Sequence, residues 1–407
     1  MRLVITVFAH SMLWTGLFLI VYVHFLNPVI LIFLGIFQKL LGSSSKQFMY
    51  REDNELPKVT LLIAAYNEEA VIKDKLENSL ELNYPRDKIE ILVFSDRSTD
   101  RTDTIIENYL RDGVILNRFN NRMGKTECQN LSIKKASGEI IVFSDAPSLY
   151  DRDAIRHLVA PFFDPKVGGV VGRVVFQTSQ NTAEAVAVQE SLHIRFLQWI
   201  KSLESNVSMP VGASGSIFAI RKNLVNPIPA NVADDLIRPL EVIRQGYRLI
   251  YQPKAVATEF FHEQYEDIQR KKIRSARRAI KSLKMERELL NPFRYGIFSV
   301  QFLTKTLLRR LLFPSYVMFF MGALLLYFIG QGYFYFIMIL GFLSFAFGGF
   351  LGGLKTPPKI LKIQVIRYPC TLVYYYIITI YSAFKGIILG LCGNEIVTWN
   401  PTREDNS

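Results

Sequence analysis

Val59-Thr60-Leu61-Leu62-Ile63-Ala64, running on into the polar loop Tyr66-Asn67-Glu68, is the stretch on which the fold turns. The unit recurs. A β-rich run at residues 89–94 ends in Ser95-Asp96-Arg97-Ser98, another occupies 114–116, and a fourth at 140–143 ends in Ser144-Asp145-Ala146-Pro147. Helical stretches separate these runs, so the pattern predicts an α/β sheet with crossover helices. In an open sheet of that kind the carboxyl ends of the strands line the ligand crevice, which is where Asp96 and Asp145 fall.

Two phosphate-binding motifs come close and fail. Gly124-Lys125-Thr126 resembles the end of a P-loop, but Phe119 stands where that motif needs a glycine five positions earlier. No G-x-G-x-x-G follows the first strand, which leaves a dinucleotide dehydrogenase without a seat for its pyrophosphate. An ATPase and a dehydrogenase are both disfavoured.

Outward from this middle the chain turns apolar. Half of its 407 residues are hydrophobic, and the excess sits mainly at the two ends, as in a membrane protein with a soluble middle. Residues 3–41 are almost free of charge and have no small-residue cleavage site, so they read as a retained anchor that crosses once, broken or kinked at Asn27-Pro28. Residues 312–330, 333–353 and 366–390 are each long enough to span, although Lys385 weakens the last. Lys305, Arg309 and Arg310 precede the first of these and Lys355, Lys359, Lys362 and Arg367 follow the second, so the positive-inside rule puts the middle of the chain in the cytosol. The expected organisation is an anchor (1–42), an α/β domain (43–262), amphipathic interface helices (263–311), transmembrane helices (312–392) and a tail (393–407).

Lys and Arg number 48 against 36 Asp and Glu, a net charge of +12. The densest basic run precedes a membrane segment and has no interleaved aromatic groove, so a bilayer rather than nucleic acid is the expected partner. Cys128, Cys370 and Cys392 share no disulfide or metal-ligand spacing, and the five histidines have no ligand partner at helical spacing. Two helices carry apolar stripes: Leu192, Phe196, Trp199 and Leu203 on one, and Ile268, Ile273, Ala276, Ile280 and Leu283 on another crowded with Lys and Arg. The second is expected to lie among lipid headgroups.

Transfer from a nucleotide sugar needs a pocket for the base, positive charge on the departing diphosphate and a carboxylate to deprotonate the acceptor. Asp96 closes the second strand, where it could accept hydrogen bonds from a base. Asp145 closes the fourth, where it could hold a divalent cation through oxygen. Either alone reads as a cap or turn residue.

The ordered set says more. Ala64-Ala65-Tyr66-Asn67-Glu68, Ser95-Asp96-Arg97-Ser98-Thr99-Asp100, Met123-Gly124-Lys125, Phe143-Ser144-Asp145-Ala146, Gly212-Ala213-Ser214-Gly215-Ser216 and Asp234-Asp235, followed by Gly246-Tyr247, cover roughly half the chain. From about residue 59 to 278 the sequence resembles the family 2 glycosyltransferases, in particular the membrane-bound branch with cellulose, chitin, hyaluronan and poly-N-acetylglucosamine synthases. That resemblance implies a GT-A (Rossmann-like) fold, a hexosyltransferase that inverts the anomeric carbon, a UDP-sugar donor and Mg2+ or Mn2+. It places Tyr66, Glu68 and Asp96 by the nucleoside, Lys125 by the base or phosphate, Asp145 on the metal and Asp235 as catalytic base. Asp234 becomes a supporting carboxylate on the acceptor side, with Gly212, Ser214 and Gly215 in the acceptor loop.

Three departures qualify the resemblance. Arg97 replaces the glycine of the family's Asp-Asp-Gly turn, and Ala146-Pro147 leaves Asp145 as the one carboxylate of the Asp-x-Asp metal motif. Of the processive branch's Gln-x-x-Arg-Trp signature only Arg274 survives, with Lys271 and Ser275 in place of Gln and Trp. Arg274 could still steady a diphosphate, and Trp199 could stand in for the missing ring. The resulting expectation is an integral protein of a bacterial-type cell membrane that adds one or a few sugars to a lipid-linked or glycan acceptor in polysaccharide biosynthesis. A processive synthase, a polyprenyl-phosphate glycosyltransferase and an inactive scaffold are the alternatives.

Overall fold

A computed structural model describes residues 1–41, 52–178, 184–261, 265–354 and 364–392. His262, Lys355, Lys359 and Lys362 lie outside these residues, as do the side chains of Leu192, His193 and Ile268.

Helix α1 (Arg2–Val21) passes through a π-helical turn, Tyr22–Leu26, into α2 (Asn27–Leu40). Pro28 has no N–H to donate, and its ring needs room in the preceding turn. The widened turn, in which the Asn27 N–H reaches the Tyr22 carbonyl, provides that room. The break expected at Asn27-Pro28 is therefore a bulge within one continuous apolar helix.

The sheet grows from β1 (Val59–Ala65), buried at every position because neighbours cover both faces. Helix α3 (Ile72–Leu80) leads to β2 (Ile89–Ser95), α4 (Thr102–Glu107) to β3 (Val114–Arg118), and α5 (Lys125–Lys135) to β4 (Ile140–Asp145). All four expected strands are present, each one or two residues longer at its carboxyl end. β1 pairs in parallel with β2 and β4, and β2 with β3. After the short β5 (Leu149–Tyr150) and α6 (Ala154–Val159) come β6 (Val167–Thr178), α7 (Glu184–Val207), β7 (Phe218–Arg221), α8 (Asp234–Arg244) and β8 (Arg248–Phe261). They complete a mixed sheet of order β3-β2-β1-β4-β7-β6-β8-β5. Two apolar cores sandwich it, one around Leu61, Ile63, Val93 and Leu158, the other around Leu62, Phe94, Phe143 and Leu240.

Helix α7 corrects one expectation. Its buried line is Ile200, Glu204 and Val207, while Phe196 and Trp199 of the expected stripe are 39% and 44% exposed. Glu204 decides the face: a buried carboxylate must be paired, and it accepts from Lys305 and from the Val211 N–H. Helix α9 (Tyr265–Met285) follows its expected stripe better, burying Ala276 and Ile280.

The chain then forms α10 (Pro292–Tyr295), α11 (Ile297–Thr306), α12 (Leu312–Phe328), α13 (Tyr333–Gly352) and α14 (Gln364–Leu391). Arg2–Leu40, Ile297–Phe328, Tyr333–Gly352 and Arg367–Leu391 are long and apolar enough to cross a membrane. Glycines let these helices touch. A Cβ on Gly16 would lie 2.5 Å from the Ser315 carbonyl, and one on Gly322 would lie 2.6 Å from the Leu13 nitrogen. Helix α14 packs on α13 at Gly349 and on α9 at Gly386 and Gly390. The basic helix α9 therefore rests on another helix as well as facing outward.

Candidate active site

Four segments converge at the carboxyl end of β4. Gly124, at φ 88°, turns the chain into α5 and aims Lys125 at the strand end. Its ammonium lies 2.7 Å from Asp145 Oδ1 and 3.3 Å from Asp234 Oδ2. Asp234 and Asp235 open α8, whose N-terminus favours negative charge. The loop through Gly212 and Ser214 is tied down by the Ala213 N–H, which donates to the Asp235 carbonyl at 2.7 Å. Gly215 passes so close that a Cβ there would sit 2.9 Å from Asp145 Oδ2 and 3.1 Å from the Lys125 ammonium.

The two neighbouring aspartates are driven apart in acidity. Burial and the charge of Asp234 push Asp235 up to about 6. Burial also opposes the charge on Asp234, but Lys125, Arg238 and the Gln129 side chain hold it below the ordinary carboxylate range. Lys125 stays protonated because Asp145 and Asp234 outweigh its burial. Such a split assigns roles: Asp234 is a fixed counter-charge and Asp235 a group able to take a proton near neutrality. Asp234, expected on the acceptor side, is buried against Lys125 and Gln129. Burial and Arg278 lower the pKa of Arg274, while Asp145 and Asp235 act on it in the other direction, which places this arginine of α9 within electrostatic reach of both.

The nucleoside end differs more from expectation. Asp96 is fully buried, and its carboxylate accepts from the Met123 and Gly124 N–H groups at 2.8 and 2.9 Å and meets Arg122 Nε at 3.2 Å. Through these contacts it organises the loop before α5. Tyr66 is half-buried, and the Arg122 guanidinium carbon lies 3.0 Å from its ring centroid. Glu68 is also buried, its N–H received by Thr102 Oγ1 at 2.8 Å. Arg97, where the family has glycine, adopts φ 60°. Trp199 stands apart, its described ring contact being Phe196 at 5.9 Å.

Some site residues carried no motif. Lys75 is fully buried on α3, donating to the Ser148 carbonyl at 2.5 Å with its ammonium 4.0 Å from the Tyr150 ring centroid. Burial lowers its pKa to about 7, against the pull of Asp145 and Glu259. One signal was present in the sequence: Lys75 shares a helix face with Ile72, Leu76 and Ser79. Gln129 and Arg122 are visible only in three dimensions. His24 bonds to the Ile20 carbonyl and the Tyr376 hydroxyl. The described cysteines are free thiols.

A divalent cation fits this donor set in a restricted way. Among the described residues no group of three or more His, Cys, Asp or Glu side chains could hold one. Asp145 alone offers a hard oxygen at the strand end, with its side chain 34% exposed. Magnesium and manganese commonly bind through one or two carboxylates while substrate phosphates and water complete the shell.

The glycosyl transferase family 2 profile matches residues 60–221. A probable glycosyltransferase of Bacillus subtilis, YdaM, is 29% identical over 246 residues, 56% of this chain and 57% of that protein. The poly-beta-1,6-N-acetyl-D-glucosamine synthase of Staphylococcus aureus is 28% identical over 232 residues, 55% of each chain. The match thus spans about half the length of these curated relatives. Among solved structures, a mannosyltransferase of Pyrobaculum calidifontis, in complex with GDP-Man and Mn2+, superposes with TM-score 0.66 at 20% identity over 95% of this chain and 99% of its own. This likeness establishes the GT-A fold.

Proposed function

We propose, from the premise that residues 60–221 are a family 2 glycosyltransferase domain, that the chain transfers a sugar from a nucleotide-sugar donor, taken as a UDP-sugar, to an acceptor at a membrane with inversion. The observation that carries this reading is the convergence of Asp145, Lys125 and Asp235 under Gly215. An acceptor hydroxyl oxygen attacks the anomeric carbon as the bond to the diphosphate breaks on the opposite face. Asp235 takes the hydroxyl proton, for which a pKa of about 6 keeps it ionised yet basic near neutrality. Lys125 and Arg274 meet the charge of the leaving nucleoside diphosphate. Asp145 would hold a divalent cation, which when bound adds positive charge on that diphosphate.

The acceptor is a lipid-linked sugar or a glycan, and one or a few residues are added. Ser275 in place of a tryptophan supports short products, since no ring is offered there to a growing polymer. The domain faces the cytosol, by the charge asymmetry of its flanking loops. Release of nucleoside diphosphate from UDP- and GDP-sugars by detergent-purified protein, with and without manganese, tests the activity. Release from no donor by folded protein would instead favour an inactive scaffold. Gel filtration of labelled product tests processivity, since high-molecular-weight polymer would contradict short addition.

A further inference from the structure

Beyond Asp145 the strand-end loop is held from outside. Pro147 stands where the family's Asp-x-Asp motif has its second carboxylate, and it brings no N–H. Ser148 and Tyr150 are buried all the same, so their backbone polar groups need partners. Helix α3 supplies them. Lys75 donates to the Ser148 carbonyl at 2.5 Å, and the Asn78 side chain accepts from the Tyr150 N–H and donates to the Tyr150 carbonyl, each at 2.8 Å. Residues three apart on a helix share a face, and this face serves two alternate loop residues as a neighbouring strand would.

The other side of the loop is tied as well. Ser148 Oγ donates to Glu259 of β8 at 2.5 Å, and Leu149 and Tyr150 pair with Thr258 and Ala257. The Tyr150 ring centroid lies 4.0 Å from the Lys75 ammonium, and its hydroxyl donates between the carbonyls of Phe143 and Ser216, at 3.2 and 3.0 Å. Ser216 follows Gly215, the glycine that lies against Asp145 and Lys125. A lysine on the buried face of Ile72 and Leu76 is costly, and an aliphatic side chain would fill the space without a charge. Asp145 and Glu259 draw that charge in against burial. What the ammonium adds over an aliphatic group is its hold on Ser148.

We propose that Lys75 is a positioning residue for Asp145: it fixes the loop 145–150, and through Tyr150 the Gly215 loop that faces it, so that a single carboxylate stands ready for the cation that accompanies the donor diphosphate. The inference rests on the glycosyltransferase reading and adds to it a residue too deeply buried to touch donor or acceptor. With one carboxylate in place of two, affinity depends on that group being held in advance, since ordering the loop during binding would oppose it.

Two measurements on full-length protein in detergent test this. Hydrogen exchange without ligand should be about tenfold faster in peptides covering residues 145–150 of Lys75→Met, with β2 unchanged. Calorimetry with UDP and with GDP, each with manganese, should show nucleotide affinity lowered by about tenfold in Lys75→Met. Asn78→Ala, which loosens the same loop from a half-buried position, should show a smaller loss, and it carries the same expectation should the lysine variant not fold. In Asp145→Ala protein the added Lys75→Met change should make no further difference, because a positioning residue acts through the group it positions. Faster exchange with unchanged affinity would leave only a structural clamp and overturn the positioning role. Additive losses in the double variant would reduce Lys75 to general packing. Unmodified protein that binds neither nucleotide, with or without manganese, would instead defeat the enzymatic reading, and with it the role of Lys75.

Discussion

The strand-end pocket and a cavity of about 680 Å³ between the sheet domain and the apolar helices have opposite charge balances and opposite construction. In the pocket Asp145, Asp234 and Asp235 gather around Lys125, and each is fixed at the end of a buried strand or the start of a helix. In the cavity Lys and Arg outnumber Glu204, and they come from helices that meet only through tertiary packing. The pocket is suited to receive positive charge and take up a proton, whereas the cavity is walled by basic and apolar side chains. Rigid backbone positions the first, and the spacing of helices positions the second.

The sharpest way to break this comparison is at Asp235. Asp235→Asn should lower transfer by roughly 10²–10⁴ while sparing donor affinity, because general-base action concerns the acceptor. Asp145→Ala should instead weaken donor binding, and its metal dependence, in calorimetry. Donor affinity lost in the first variant and kept in the second would reverse the two roles.

A smaller effect tests the electrostatics of the pocket. Transfer should fall as pH drops through about 6, where Asp235 takes up a proton. Lys125 holds that pKa down against burial and Asp234. Lys125→Met should therefore move the acid limb of the rate profile alkaline, by about one unit or more. An acid limb that stays in place would remove Lys125 from the pocket's charge balance.

On the helical side, Gly322→Leu should destabilise the protein by about 1–3 kcal/mol, since a side chain must displace the backbone of α1. Thermal unfolding in detergent reads this out. The smallest expected change is Arg97→Gly. A left-handed backbone costs a non-glycine residue about 1–2 kcal/mol, partly offset by the entropy glycine loses on folding, so a gain of about 1 kcal/mol or less should appear in the same assay.

The pocket was largely legible in the sequence because strand ends carry their loops in fixed order. The runs around Ile63, Val93 and Val142 announced the parallel half of the sheet, and Gly215 passes close to Asp145 and Lys125 at the end of β4. Asp96 was only half legible, because a polar residue at a strand end serves equally as a ligand contact or as an internal clasp, and the bonds it accepts from the Met123 and Gly124 N–H groups appear only in three dimensions. On α7 the apolar stripe through Phe196 and Trp199 lost to a buried Glu204 whose partner, Lys305, lies about a hundred residues away. The cavity had no signature at all, since its cations are scattered over separate helices and each reads locally as a flank of an apolar segment.

The continuous N-terminal helix has a practical corollary for anyone wishing to work without detergent. Val23 and Asn27, on either side of the widened turn, form part of the cavity wall, and Gln38 donates to the Val207 carbonyl at 2.9 Å. Cutting away residues 1–41 to obtain a soluble fragment would therefore strip one side from the cavity and untie the end of α7. A fragment of that kind would carry the strand-end pocket on a sheet domain whose α7 had lost its tie, and its properties would not stand for those of the whole chain.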